Sequence, residues 1–226
     1  MWAVAAAVIV LAARNVAGER FIPSALYVPI NLVVVAIVAA IAVKQRVSLA
    51  ELGLSRSRVP AGLAVGLAIA VGVAAVLAIG AVLPMTRGFF EDQRVAAIDG
   101  AGPLAYQTLV RIPIGTVFHE EFAFRGVLLA LLMRLYPTGI AVAFSSLLFG
   151  LWHIHPTLDA LAANDLASSG LETAGAVVGA VIITAIGGVI FCALRLWTGS
   201  LLTPIITHIA TNSFGTAAAY IVLRDS

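Results

Sequence analysis

Charge is what this sequence has least of. Of its 226 residues, 11% are Asp, Glu, Lys or Arg, while 62% are hydrophobic. The mean hydropathy is +1.08, whereas soluble domains are close to half apolar. A water-soluble core of this size has no use for so much apolar surface. The 13 basic residues against 11 acidic ones leave a net charge of +2, dispersed and too small for a nucleic-acid surface, which excludes nucleic acid as a partner. Cysteine is nearly absent. Cys192 stands alone in an apolar run, so no intrachain disulfide can form, and packing is its natural role. Lysine is nearly absent too: Lys44 stands beside 12 arginines in an Ala- and Val-rich chain. That usage points to a high-GC bacterial genome, hence to the bacterial cell membrane as the location. The opening MWAVAAAVIVLAAR lacks a basic flank and a cleavage site, and reads as a short first helix instead of a signal peptide.

What the sequence does have is long apolar runs. They fall near residues 1–14, 24–43, 60–83, 113–134, 138–156, 174–196 and 203–223. A bilayer core of about 30 Å takes roughly 20 helical residues. Lipid supplies no partner for backbone groups, and no ten-residue alternation suggests a barrel, so helices are the economical solution. The expected fold is all-α, a polytopic membrane helix bundle with about seven transmembrane helices, forming one integral membrane domain over residues 1–226.

Between the second and third runs, VSLAELGLSRSRVP reads as a short interfacial helix, with Ser48 and Glu51 as a capping box and Gly53 at its end. Residues 84–103 and 156–173 read as polar loops, the second broken by Pro156, Asn164 and Gly170. Thr203-Pro204 reads as the N-cap and first position of the last helix. Lys44, Arg46, Arg56, Arg58, Arg134 and Arg195 gather on one side, with Glu51 as its acid. Arg14, Arg20, Arg87 and Arg94 lie on the other with most of the acids. The positive-inside rule puts the first side in the cytoplasm.

Ionisable residues inside a bilayer are costly, and they are functional candidates by default. Here they form three groups: His119-Glu120-Glu121-Phe-Ala-Phe-Arg125, Phe149-Gly-Leu-Trp-His153 and His208-Ile-Ala-Thr-Asn212. Each holds an i,i+4 pair, which shares one helix face. Glu121 can pair with Arg125, leaving Glu120, about 100° further round, for another neighbour. Phe149 can pack on the His153 ring, and His208 and Asn212 project together. At about 1.5 Å per residue, these groups reach overlapping depths near the 84–103 side.

Such a set can hydrolyse an amide. A buried carboxylate takes a proton from water, a histidine orients that water, and His or Asn donors stabilise the oxyanion. On this assignment Glu120 and His153 activate water, and His208 and Asn212 bind the oxyanion. The same residues allow a second chemistry, in which His153, His208 and one glutamate such as Glu120 hold zinc or another divalent metal and the other glutamate acts as base. Sequence leaves both open.

The pattern Glu-Glu-x-x-x-Arg, Phe-x-x-x-His, His-x-x-x-Asn, carried by Glu120, Glu121, Arg125, Phe149, His153, His208 and Asn212, resembles that of the CPBP family of CAAX prenyl proteases and bacteriocin-processing intramembrane proteases. The stretch GSLLTPIITHIATN and the segment before the third run are similar as well, so the resemblance spans about residues 45–215. It implies cleavage of a peptide bond in a membrane-associated, peptide or lipidated protein substrate. Glu120, His153, His208 and Asn212 would then be catalytic, and Glu121, Arg125 and Phe149 supporting. Family members are labelled metalloproteases, and a metal-free glutamate mechanism is proposed for them too. One departure stands out, because prenyl proteases open to the cytosol and the charge count places this site on the other side.

Plainer readings stand beside these. Glu121 with Arg125 can be a structural ion pair, and His208 with Asn212 an interhelical hydrogen bond. His119 and His155 read as interface residues, Trp2, Trp152 and Trp197 as an aromatic belt, and Asp159, Asp165 and Glu172 as a solvated loop. Gly187-Gly188 and Gly175-x-x-x-Gly179 read as close-packing sites. A bacteriocin immunity or scaffold protein that binds without cutting, or a proton-coupled transporter, is the alternative to a protease. His119-Glu120-Glu121-Phe122-Ala123 misses the zincin motif, because Ala123 stands where a histidine is needed. No Gly-x-Ser-x-Gly or Gly-x-Gly-Asp motif is present.

Overall fold

The computed structural model describes residues 1–225, and the side chains of all of these except 18–21; Arg20 thus lies outside the described side chains. Among the described residues there is no strand. Eight principal helices carry the chain: α1 Trp2–Phe21, α2 Tyr27–Lys44, α3 Val59–Val82, α4 over residues 101–133, α5 Thr138–Trp152, α6 Ile154–Asn164, α7 Gly170–Thr198 and α8 over residues 202–224. The all-α bundle expected from the apolar runs is what forms. Four stretches are long and apolar enough to cross a membrane, Ser24–Lys44, Arg56–Val82, Thr138–Asn164 and Gly170–Thr198. The other three expected spans are also helical. α1 is apolar over Trp2–Ala17, and α4 and α8 carry the polar groups of the site. α1 runs to Phe21, well past the 14 residues expected of it.

α4 is the axis of the bundle. From His119 to Leu132 every residue is buried, as a helix hemmed in on all sides must be. Leu11 of α1, Val34 and Val38 of α2, Phe149 of α5, Cys192 of α7 and Leu201 join its apolar side chains in one core. The charged groups of α4 therefore face protein instead of lipid. Large apolar side chains are exposed elsewhere, among them Val71, Val76 and Ile79 on α3 and Ile182, Ile183 and Ile186 on α7; these form the surface offered to acyl chains.

Close helix approach comes from particular glycines. A Cβ on Gly150 would sit 2.6 Å from the Val181 carbonyl oxygen, and one on Gly188 3.0 Å from Ser146, so α5 and α7 meet nearly backbone to backbone. Gly175, Gly179 and Gly187 have open space around them, so of the glycines expected to serve packing only Gly188 does so.

Several local expectations change. Residues 47–60 do not form an interfacial helix, and the last two of them already belong to α3. Ser48 and Glu51 do exchange the reciprocal bonds of a capping box, but Gly53 adopts φ +75° and ends the turn after a single cycle. The turn is a docking point, not a surface helix. Its Gly53 carbonyl accepts the Leu201 N–H at 2.8 Å, and Arg134 donates to the Glu51 carboxylate at 2.6 Å and to the Gln45 carbonyl at 2.7 Å. Arg195, expected near a membrane surface, is buried and donates to the Glu51 carbonyl. The hydrogen bonds from Arg134 hold the Glu51 carboxyl down at about 2.

Residues 156–164 are not loop but most of α6, since Pro156 lies in the first turn, where its missing N–H costs nothing. Asn164 and Gly170 do mark boundaries, α6 ending at the first and α7 beginning at the second behind a Ser169–Glu172 capping box. The 84–103 loop contains short helical turns, and α4 begins inside it at residue 101. Thr203 does not cap α8, which starts one residue earlier; its hydroxyl pairs with that of Thr198 at 2.9 Å.

Candidate active site

Three helices build the site, and the backbone is unusual in two of them. α4 is wound as π-helix over Gln107–Phe118 and Phe122–Leu128, flanking the α-helical turn His119–Glu121, and α8 over Ala210–Phe214. π-helical turns are rare and frequently mark functional sites. Here they bracket the two glutamates and hold Asn212.

Adjacent on α4, Glu120 and Glu121 meet different surroundings. The Glu121 side chain is fully buried, and its Oε1 accepts from Arg125 at 3.0 Å and pairs with Nδ1 of His208 at 2.8 Å. The Arg125 guanidinium lies 3.8 Å from the Phe149 ring centre and 5.1 Å from that of Phe191, so two aromatic faces share its charge. Glu121 is thus the joint of an Arg125–Glu121–His208 chain that ties α4 to α8. Glu120 accepts a hydrogen bond at Oε1 from the indole Nε1–H of Trp152 at 3.0 Å. Its Oε2 has no hydrogen-bond partner and stands 3.9 Å from Nε2 of His208. That gap is too long for a direct hydrogen bond.

His153 ends α5. Its Nδ1 pairs with the Phe149 carbonyl at 2.8 Å, and its ring lies 4.6 Å from the Phe149 ring, edge to face. The His208 ring stacks on Phe191 at 5.0 Å. Asn212 stands one turn beyond His208, its Oδ1 accepting from Thr211 at 3.3 Å. Glu120, His153, His208 and Asn212 all line one cavity of about 620 Å³. Glu121 and Arg125 are not on its wall; they sit behind His208.

The same cavity is lined by Arg14, Asn15, Tyr27 and Asn31, from the two helices that carry no motif. Arg14 donates through Nε to the Asn31 side chain, the Asn31 amide donates to the Gly115 carbonyl at 2.7 Å, and the Asn15 amide donates to the Trp152 carbonyl at 2.8 Å. Sequence reasoning missed these residues. The available signal was Asn31, a carboxamide inside an otherwise apolar run. Two expectations are corrected here. Trp152 is not part of an interfacial belt but a partner of Glu120, whereas Trp2 and Trp197 are exposed. His119 is not at an interface but 1% exposed, with its ring 5.5 Å from that of Trp152. His155 is exposed and, with Asp159, lines the outer part of the cavity.

The metal alternative requires His153, His208 and Glu120 to converge on a single point. Among the described residues, no group of three or more His, Cys, Asp or Glu side chains is placed to hold a metal ion. Nδ1 of His208 is engaged by Glu121 and Nδ1 of His153 by a carbonyl, which leaves Nε2 as the free nitrogen of each ring, as in a metal-ligating histidine too; no step below runs through a metal.

An apolar helix bundle with a buried acid, two imidazoles and a carboxamide around a cavity is the arrangement expected of an intramembrane hydrolase. Residues 103–214 match the family model Type II CAAX prenyl endopeptidase Rce1-like. The match spans about half of the chain, includes all seven motif residues, and places the chain among the Rce1-like, CPBP-type intramembrane proteases. No curated protein and no solved structure matches the chain.

Proposed function

We propose that this chain is an intramembrane endopeptidase that hydrolyses a peptide bond of a membrane-associated or prenylated CAAX-type substrate, with Glu120, His153, His208 and Asn212 as its acting groups. One observation carries this reading: Oε2 of Glu120 is unpartnered and faces Nε2 of His208 across 3.9 Å, and both residues line a cavity together with His153 and Asn212. A carboxylate oxygen kept from other partners in a low-dielectric site is a base waiting for a proton.

Glu120 takes a proton from a water that His153 orients, and the water oxygen bonds to the carbonyl carbon of the scissile peptide. The resulting oxyanion is met by Asn212 Nδ2–H and by His208. With its Nδ1 at the Glu121 carboxylate, His208 offers a proton from Nε2 when the ring is charged and a lone pair when it is neutral. The charged form is the oxyanion donor. As the C–N bond breaks, Glu120 returns its proton to the departing amine, so one water is consumed and the base is regenerated. Arg125 and Glu121 hold the His208 ring, and Phe149 holds both His153 and Arg125.

The test is cleavage of a quenched prenylated CAAX peptide by purified protein. Replacing Glu120 by Gln keeps the side chain's size and its acceptor for Trp152 but removes the base. The rate should fall by about 10²- to 10⁴-fold, with the melting temperature in detergent unchanged. Full activity in E120Q would refute the assignment.

A further inference from the structure

Trp152 fills an unassigned position of the second motif, directly before His153, and touches Glu120. Its indole N–H donates to Oε1 of Glu120 at 3.0 Å. The ring is fixed from several directions. Phe124 meets it edge to face at 5.8 Å, His119 tilts against it at 5.5 Å, and its own carbonyl accepts from Asn15 of α1 at 2.8 Å. Trp152 and Asn15 also line a second, apolar cavity of about 210 Å³, shared with Val8, Leu11, Leu148 and Leu151. The indole is therefore a partition, with greasy space along one side and the polar cavity on the other, and it directs its single donor at the carboxylate.

We propose that Trp152 is the positioning residue of Glu120, and that α1 holds it in place through Asn15. A carboxylate presents two equivalent oxygens and turns about its last torsion; a hydrogen bond to one of them removes that freedom. With Oε1 tied to Trp152, Oε2 is the oxygen left facing His208, and a near-attack arrangement depends on such alignment. This contact explains why Glu120 faces the cavity while its neighbour, Glu121, is turned back to Arg125. It also gives α1, outside the family match, a task in the chemistry. The inference rests on the peptidase reading for its kinetic consequence, while the contact itself can be tested separately.

Two measurements on full-length protein in detergent decide it. In the first, W152F and a variant with 3-benzothienylalanine at position 152, which exchanges the N–H for sulfur at nearly constant shape, are assayed on the quenched peptide. Loss of one hydrogen bond to a charged group should lower kcat about 10- to 100-fold with KM within about twofold. The loss should vanish in an E120D background, whose shorter carboxylate does not reach the indole; a ring that merely filled space would cost the same in both backgrounds. A rise in KM with kcat held, or an equal loss in E120D, would overturn the proposal. In the second, the indole proton of Trp152 is observed by ¹⁵N-resolved NMR and identified by its disappearance in W152F. It should resonate downfield and move upfield in E120A; a resonance indifferent to E120A would overturn the proposal whether or not the wild type cleaves the peptide. Wild-type protein that cleaves nothing would refute the peptidase reading, and the resonance would still decide the contact.

Discussion

Glu121 and Arg125 show what one ion pair must do when it is enclosed. Both side chains are shielded to 1% exposure or less, and a charge left alone there carries an uncompensated desolvation cost. Replacing Arg125 by Met should therefore destabilise the protein by about 3–5 kcal/mol, read as a lower melting temperature in detergent. The double replacement E121Q/R125M should recover part of that loss, because no orphan charge remains; additive losses would show that the two residues are not coupled. A second expectation at this scale concerns the histidines. Since no group of three or more His, Cys, Asp or Glu side chains is gathered to hold a metal ion among the described residues, activity on the CAAX peptide should survive a strong chelator, and purified protein should carry no stoichiometric zinc. Chelator-sensitive activity restored by zinc would reverse that assignment. The i,i+4 rule made the Glu121–Arg125 pair legible in the sequence. It could not supply the partner of Glu120, because Trp152 lies 32 residues away on another helix.

At the scale of elements, the turn at residues 45–54 is the clearest case of tertiary contact deciding local form. Its capping bonds were readable from Ser48 and Glu51; its single-turn length was not. Arg134, Arg195 and Leu201 occupy its polar groups and hold it as a clasp between the end of the fourth helix, the seventh and the start of the last. The Glu51 carboxyl lies at about 2 instead of its ordinary 4.5, chiefly through hydrogen bonds from Arg134. A carboxyl lowered on folding adds stability that is present above its unfolded value and is lost as pH falls toward the folded one. The wild-type melting temperature should thus decline between about pH 4.5 and 2 more steeply than that of E51Q, which lacks the titrating group. Parallel declines would show that the clasp contributes nothing. α6 gives the complementary lesson, because a proline read as a breaker is harmless in a first turn, and only the fold says which turn is first.

In the whole molecule, polarity is turned inward. α4, which holds the most charge, is the most enclosed helix, and the flanking helices α3 and α7 present Val and Ile to the surroundings. The two ends differ. Arg46, Glu51, Arg134 and Arg195 form the clasp at one; the cavity, with Arg94, His155 and Asp159 on its wall, lies toward the other, where Asn164 also bonds to Gln93 and Asp92. The positive-inside rule expects the basic clasp in the cytoplasm and therefore the cavity facing outward. In a C192A background, D99C should react with an impermeant maleimide on intact cells, and R56C only after permeabilisation. The reverse pattern would place the site on the cytosolic side.

The sequence alone determined the solvent and the secondary structure: a chain with so little charge and such long apolar runs can satisfy its backbone in lipid only as helices. It also determined which residues were too costly to be idle, because each motif places ionisable or amide groups where hydropathy gives no reason for them. The tertiary structure decided what those residues touch. Whether Glu120 meets an indole or an arginine, whether His208 leans on Glu121, and that two helices without motifs complete the cavity all depend on how the helices are rotated and packed around α4. Such contacts join residues dozens of positions apart, and periodicity within one helix carries no information about them.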